Sequence, residues 1–176
     1  MAMSRLDILA VDPGNNVSTW LLYAPTDNLV LGFGTEPNSQ LLSRLASYHV
    51  ERGNRLEVQL VIEMVESYGM PVGREIFETV LWIGRFMQAW EHFVGDRGPP
   101  CVLLPRRVVK QELCATPQAK DSNVRQALVD MFGPGREKAI GTKKHPGPLH
   151  GISKHRWQAL ALAVAWTHQQ ERQTRQ

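Results

Sequence analysis

Cysteine is scarce. Cys101 and Cys114 are the only two in 176 residues, too few for a disulfide framework, which excludes the stapled secreted domains that depend on one. No segment has the roughly 18 or more apolar residues that a membrane span requires. The N-terminus lacks a basic region leading into a long apolar core, so no secretory signal is expected. These absences point to a reducing, cytoplasmic setting without membrane attachment. The length suits one domain, large enough to bury a core without staples. Net charge is also low, at +3, but the total conceals an asymmetry. Residues 1–100 hold 7 Lys+Arg and 12 Asp+Glu, a balance of −5; residues 101–176 hold 13 and 5, a balance of +8. A carboxylate-rich half joined to a basic half suits a metal site beside a polyanion-binding surface. The alternative is a solvated charge distribution that averages out on folding.

The most informative stretch is Asp7 to Asn16. Ile8 to Val11 is a short apolar run that reads as a buried strand. It ends on Asp12, followed at once by the turn signal Pro13-Gly14. An ionised acid beside a core strand is costly unless something pairs with it, and a metal ion is one such partner. Alternatively, Asp12 only caps the turn.

In chain order, residues 6–11, 17–24 and 28–34 read as three strands in an antiparallel meander. A helix is expected over 40–53, and a strand over 56–63 that again ends on an acid, Glu63. Two glycines and a proline exclude a regular element over 64–73. A long amphipathic helix follows over 74–94, with Ile76, Phe77, Val80, Leu81, Ile83, Gly84, Met87 and Phe93 on or near one stripe. Gly84 is expected to admit a neighbouring backbone. Residues 101–104 form a short strand and 106–113 a short basic helix. A further helix runs to Met131, with Asp121 or Ser122 as N-cap. Residues 133–151 form a basic loop with five glycines and three prolines, of a length that is usually functional or disordered. The last helix spans 153–171 and presents Lys154, His155 and Gln158 in its first turns, and the tail 170–176 is expected to fray. This order predicts an α/β fold: a mixed five-stranded sheet with helices on both faces. Strands one and four would be central neighbours, with Asp12 and Glu63 side by side and His155 brought to the same place. Such a group suits Mg2+ or Mn2+.

Ile8-Leu9-Ala10-Val11-Asp12-Pro13-Gly14, then Val61-Ile62-Glu63, Val109-Lys110-Gln111 and the closing Ala159 to Ala165 run resemble the RuvC Holliday-junction resolvases of the RNase H-like superfamily. The order and spacing match along nearly the whole chain. The Ser67-Tyr68-Gly69-Met70 loop and the loop from Gly141 through Lys143 and Lys144 to Gly151 look more like phage-borne RuvC-like proteins. The resemblance implies a single RNase H-like nuclease domain over 1–176 in a bacterial or phage-infected host cytoplasm, acting in DNA recombination and repair. It implies a homodimeric, Mg2+-dependent endonuclease (Mn2+ as the alternative ion) with two ions per site, cutting four-way or other branched DNA. Two-fold symmetry suits such a substrate, and helix 74–94 is the candidate interface.

Carried over by position, the resemblance implies that Asp12 bridges the metals, Glu63 is the fourth-strand acid, and His155 is a ligand or proton carrier. Lys110 matches a DNA-contacting residue and Lys120 falls near a second. Where the family usually has an Asp one turn after His155, this chain has Gln158, a poorer ligand. Three readings stay open. His155 serves alone from this helix, with Glu66 or Asp121 supplying the missing charge; or junction binding is kept and efficient cleavage lost; or the helix register differs. Arg106, Arg107, Lys110, Lys120, Lys143 and Lys144 would track phosphates, and Tyr68 would stack on an unpaired base or pack on the long helix. A catalytically weakened junction-binding protein is the alternative function, and a nuclease for RNA or other replication intermediates the third.

Overall fold

The computed structural model describes residues 6–47, 58–67, 69–95 and 98–175. Its elements are β1 (Asp7–Asp12), β2 (Val17–Ala24), β3 (Leu29–Pro37), α1 (Asn38–Ser47), β4 (Val58–Met64), α2 (Arg74–Val94), β5 (Val102–Pro105), α3 (Arg106–Cys114), α4 (Asp121–Phe132), α5 (Arg136–Ala139) and α6 (Arg156–Thr174). One sheet has the order β3-β2-β1-β4-β5. β1 pairs antiparallel with β2, and β2 with β3; β1 pairs parallel with β4, and β4 with β5. The expected meander and mixed sheet are both present.

The period-two alternation of strands divides the core. Ile8 and Ala10 of β1 and Val61 of β4 face the layer of α3, α4 and α6. Leu9 and Val11, with Leu60 and Ile62, face the layer of α1 and α2. Continuing the same parity, Asp12 and Glu63 fall on the α6 side. The parallel register pairs Val11 with Ile62, so the two acids leave the carboxyl ends of adjacent strands together.

α6 lies against β1 and β2, with every residue from Ala159 to Ala165 buried. A helix apolar all round belongs inside, and its alternate alanines allow a close approach to the sheet. Its start corrects one expectation. Regular helix begins at Arg156, so His155 precedes it as the N-cap residue, after Lys154 at a φ of +48°. Helix continues to Thr174, past the point expected to fray, and Arg172 pairs with Glu112 of α3.

Other boundaries also shift. β3 runs to Pro37 and passes straight into α1, beyond the expected end at 34, because it stays paired with β2 as far as Val17. Residues 48–57, which carry the end of the expected helix 40–53 and the start of the expected strand 56–63, lie outside the described residues. On α2 the buried residues are Thr79, Ile83, Phe86, Trp90 and Val94. Phe77, Val80 and Leu81 are instead exposed, at 65%, 40% and 58%. Nothing described approaches Gly84, so its expected role against a neighbouring backbone is not seen within the chain; it lies on a wide groove with Leu42, Ala46, Leu81 and Phe93. The segment 133–151 contains the short helix α5 and an isolated bridge between Gly141 and Pro146. Gly141 has a φ of +69°, and a Cβ there would meet the His145 carbonyl at 2.2 Å, so this hairpin-like turn requires glycine. Both cysteines are free. Among the described residues, no helix is long and apolar enough to cross a membrane.

Candidate active site

The turn after Asp12 is fixed by groups other than Asp12. A Cβ at Gly14 would meet the Val17 carbonyl at 2.4 Å, so the chain can reverse this tightly only with glycine. The Gly14 amide donates to Ser18 Oγ at 3.2 Å, Ser18 Oγ donates to Asn38 Oδ1 at 2.6 Å, and Asn38 Nδ2 donates to the Gly14 carbonyl at 2.8 Å. The Asn38 amide donates to the Asn16 carbonyl at 3.0 Å. Ser18 and Asn38 are buried. This loop of bonds anchors the first residue of α1 to the β1–β2 turn and leaves the Asp12 carboxylate available. Asn38→Ala would strand a buried hydroxyl and a carbonyl, so a stability loss of about 1–3 kcal/mol is expected in urea unfolding, with Asp12 less well held.

Asp12 Oδ2 meets His155 Nδ1 at 2.9 Å. When Asp12 is ionised, the imidazole proton must sit on Nδ1 to donate, which leaves the Nε2 lone pair directed elsewhere. Burial raises the Asp12 carboxyl above its ordinary value, and the attraction and hydrogen bond of His155 and the charge of Arg106 only partly offset it. Glu63 is raised further, to about 7. Burial is the main cause; Arg106 opposes it, while Asp12 and Asp121 add repulsion.

Arg106, the first residue of α3, joins three elements. Its Nη1 donates to Glu63 Oε2 at 3.0 Å, and its Nη2 lies 3.0 Å from Asp121 Oδ1. Lys110 Nζ is 3.4 Å from the same Asp121 oxygen. Asp121 is therefore not the N-cap of α4. That position belongs to Lys120, which makes no side-chain cap, and Asp121 opens the helix with its carboxylate turned to α3. Burial would raise the Asp121 carboxyl, but Arg106 and Lys110 outweigh it and hold the group below its ordinary value. Glu66 is bound by Arg107 Nε at 2.9 and 3.2 Å, in a pair of its own.

Gln158 is the third residue of α6, three positions after His155. Its Oε1 is buried and has no hydrogen-bond partner. It also lines a cavity of about 380 Å³ with Arg106, Asp121, Arg125 and Lys154. Arg125 stacks on Trp157, 4.7 Å from the ring centroid. Among the described residues, no three His, Cys, Asp or Glu side chains converge on a single point: Asp12 is turned to His155 and Glu63 to Arg106. The donor set still fits a hard divalent cation. Asp12 and Glu63, whose carboxyls burial leaves short of counter-charge, stand at the ends of adjacent strands, and Mg2+ needs only one or two carboxylates plus substrate oxygens.

Of the residues expected to track phosphates, Arg106, Arg107 and Lys110 are engaged in these ion pairs. Lys120, Lys143 and Lys144 are exposed. Tyr68 lies outside the described residues. Ser18 and Asn38 carried no signal in the sequence beyond being polar beside a turn. Lys154 is visible in the sequence as a basic neighbour of His155, whereas Arg125 comes to the site only through its contact with Trp157, 32 positions away.

No protein-family model matches this sequence, and no curated protein sequence matches it significantly. Solved structures do match. The fold is similar to that of RuvC from Thermus thermophilus, with a TM-score of 0.58 and 18% identity over 96% of this chain and 98% of that one. A structure described as T. thermophilus RuvC in complex with Holliday junction substrate matches with a TM-score of 0.54 and 18% identity, over 94% and 95%. The RNase H-like fold class expected from the sequence is thus the fold observed.

Proposed function

We propose that this chain is a divalent-metal-dependent, structure-specific endonuclease that nicks branched DNA, four-way junctions foremost. One observation carries the reading: Asp12 and Glu63 leave adjacent central strands on the same face, both short of counter-charge, with His155 set against Asp12. The fold likeness supports it, since one of the matching structures holds a Holliday junction. Asp12 and Glu63 would hold the Mg2+ or Mn2+, which when bound supplies Lewis-acid activation of the phosphodiester and of the attacking water. His155 orients Asp12 through Nδ1 and offers Nε2 to carry a proton. The cavity beside Gln158, with Arg106, Arg125 and Lys154 on its walls, suits a DNA phosphate. Exposed Lys120, Lys143 and Lys144 extend a salt-dependent, shape-based contact surface, and Tyr68 is proposed as a base-stacking residue. We place the protein in a bacterial or phage-infected cytoplasm.

The deciding experiment is a nicking assay on a labelled four-way junction with Mg2+ or Mn2+. Cleavage that disappears in Asp12→Asn supports the proposal. Binding without cleavage in either metal, with native protein and Asp12→Asn alike, overturns it and favours a junction-binding protein, the reading motivated by Gln158. The same assay on RNA hybrids and forks tests the remaining substrate class.

A second copy of the chain is proposed to cover the outer face of α2. Phe77, Val80 and Leu81 are exposed there beside the groove at Gly84, a patch of the kind that marks an interface. Leu81→Arg is expected to shift the protein from dimer to monomer in sedimentation equilibrium while leaving the circular dichroism spectrum unchanged. A wild-type monomer at tens of micromolar would refute the assignment.

A further inference from the structure

The metal-dependent reading leaves open how many ions the site takes, and the position of Arg106 bears on that number. Arg106 directly follows Pro105, which is paired in the sheet with Met64 one residue beyond Glu63. Its backbone is therefore anchored beside β4, and its side chain is only 25% exposed. Two carboxylates from different elements, Glu63 and Asp121, hold the guanidinium at 3.0 Å each. A planar fork gripped on two nitrogens is fixed in direction, as a lysine would not be. Two of its five N–H donors are used by these contacts, and the others remain for a phosphate oxygen.

The charge count points the same way. Counting the strand-end acids and the ion pairs around Arg106, Asp12, Glu63 and Asp121 supply three negative charges and Arg106 and Lys110 two fixed positive ones, while Arg125 and Lys154 on the neighbouring cavity wall only add to the positive side. The surplus is one negative charge, and position 158 contributes a neutral amide rather than a carboxylate. One divalent ion turns this surplus to one positive. A second ion would leave three positive charges in a partly buried space, with Arg106 as a repelling neighbour and, among the described residues, no further carboxylate converging there.

We infer that the site is built for one divalent ion, held by Asp12 and Glu63, and that the Arg106 guanidinium bridging Glu63 and Asp121 is the permanent second cation that meets the substrate phosphate. Arg106 takes the place of an ion that the amide at Gln158 does not help to bind.

The inference is tested by counting Mn2+ bound per protomer with calorimetry and electron paramagnetic resonance, readouts independent of cleavage. Native protein is expected to bind one ion with the uncoupled six-line signal, and Asp12→Asn is expected to lose it. Arg106→Lys, which keeps the charge, should still bind one. The double variant Arg106→Gln/Gln158→Asp, checked for folding by thermal melt, should bind two and show an exchange-coupled spectrum. A coupled pair of ions in the native protein would overturn the inference and leave the nuclease reading standing. Native protein that takes up no ion would overturn both. A folded double variant that still binds one ion would overturn the part assigned to Arg106. Should the double variant fail to fold, the native count and Gln158→Asp alone still decide, because Gln158→Asp with Arg106 intact is expected to remain at one.

Discussion

Asp12→Asn is expected to lower the nicking rate on a four-way junction by about a thousandfold, with junction affinity within a few fold of native and thermal stability equal or higher. The rate follows from the proposed chemistry. A cation held at the reacting phosphate is worth several kcal/mol of transition-state stabilisation, and about 4 kcal/mol corresponds to a thousandfold in rate. The substitution is isosteric, so its main effect is to remove the anionic ligand at the end of β1. The stability half of the prediction comes from the site itself. The Asp12 carboxyl is raised because burial disfavours its charge more than His155 and Arg106 favour it. Removing the charge therefore relieves the fold, as expected for a group kept for function rather than stability. The Gly14–Ser18–Asn38 bonds that hold the turn do not involve the Asp12 side chain. Loss of activity together with a melting temperature several degrees lower would instead mark Asp12 as structural and sink the idea.

The sequence makes Asp12 and Glu63 visible because sheet chemistry is local. An apolar run ending on an acid needs only period-two alternation to place the acid, and both such runs are short, central and bounded by turns. The parallel pairing of β1 with β4 then follows from element order. The phase of α2 was not legible for a physical reason. The helix is apolar on two faces, one holding Phe86 and Trp90 and the other Phe77 and Leu81, and periodicity cannot say which of them the chain itself covers. Arg106 was legible only as a basic residue. Its partners lie 43 positions before and 15 after it in sequence (Glu63 and Asp121), and nothing local distinguishes a guanidinium bound for DNA from one bound for a buried carboxylate. The order of elements is enough to bring His155 to the end of β1, where it meets Asp12, but not to show that it precedes the regular helix. The left-handed Lys154 before it sets the imidazole outside the regular helix and turns Nδ1 to Asp12.

Glu63 makes the second large prediction, a stability that falls as pH rises in the absence of divalent metal. Its carboxyl is raised from 4.5 to about 7 in the fold, chiefly by burial, and its side chain is 11% exposed. Below about pH 4.5 the group is protonated in folded and unfolded chains alike and contributes nothing. Between that value and about 7 the unfolded chain ionises first, so the folded state binds more protons and loses stability with each step upward. Above about 7 both are ionised and the loss is complete. From about pH 5.5 to about pH 8 the contribution is about 2 kcal/mol. The raised Asp12 carboxyl acts in the same direction, starting lower. Asp121, whose carboxyl is lowered, acts oppositely, but only in the acid range below its ordinary 3.8. Urea unfolding with EDTA present should therefore give a less stable native protein at about pH 8 than at about pH 5.5. Glu63→Gln should remove most of the difference, because the amide has no proton to lose. Mg2+ should restore stability preferentially at the higher pH, since an ion competes with the proton for the same oxygens and binds about tenfold more weakly per pH unit below about 7. Equal pH dependence in native protein and Glu63→Gln would show that this carboxyl keeps its ordinary acidity, and the site would then lack the uncompensated charge on which metal capture depends.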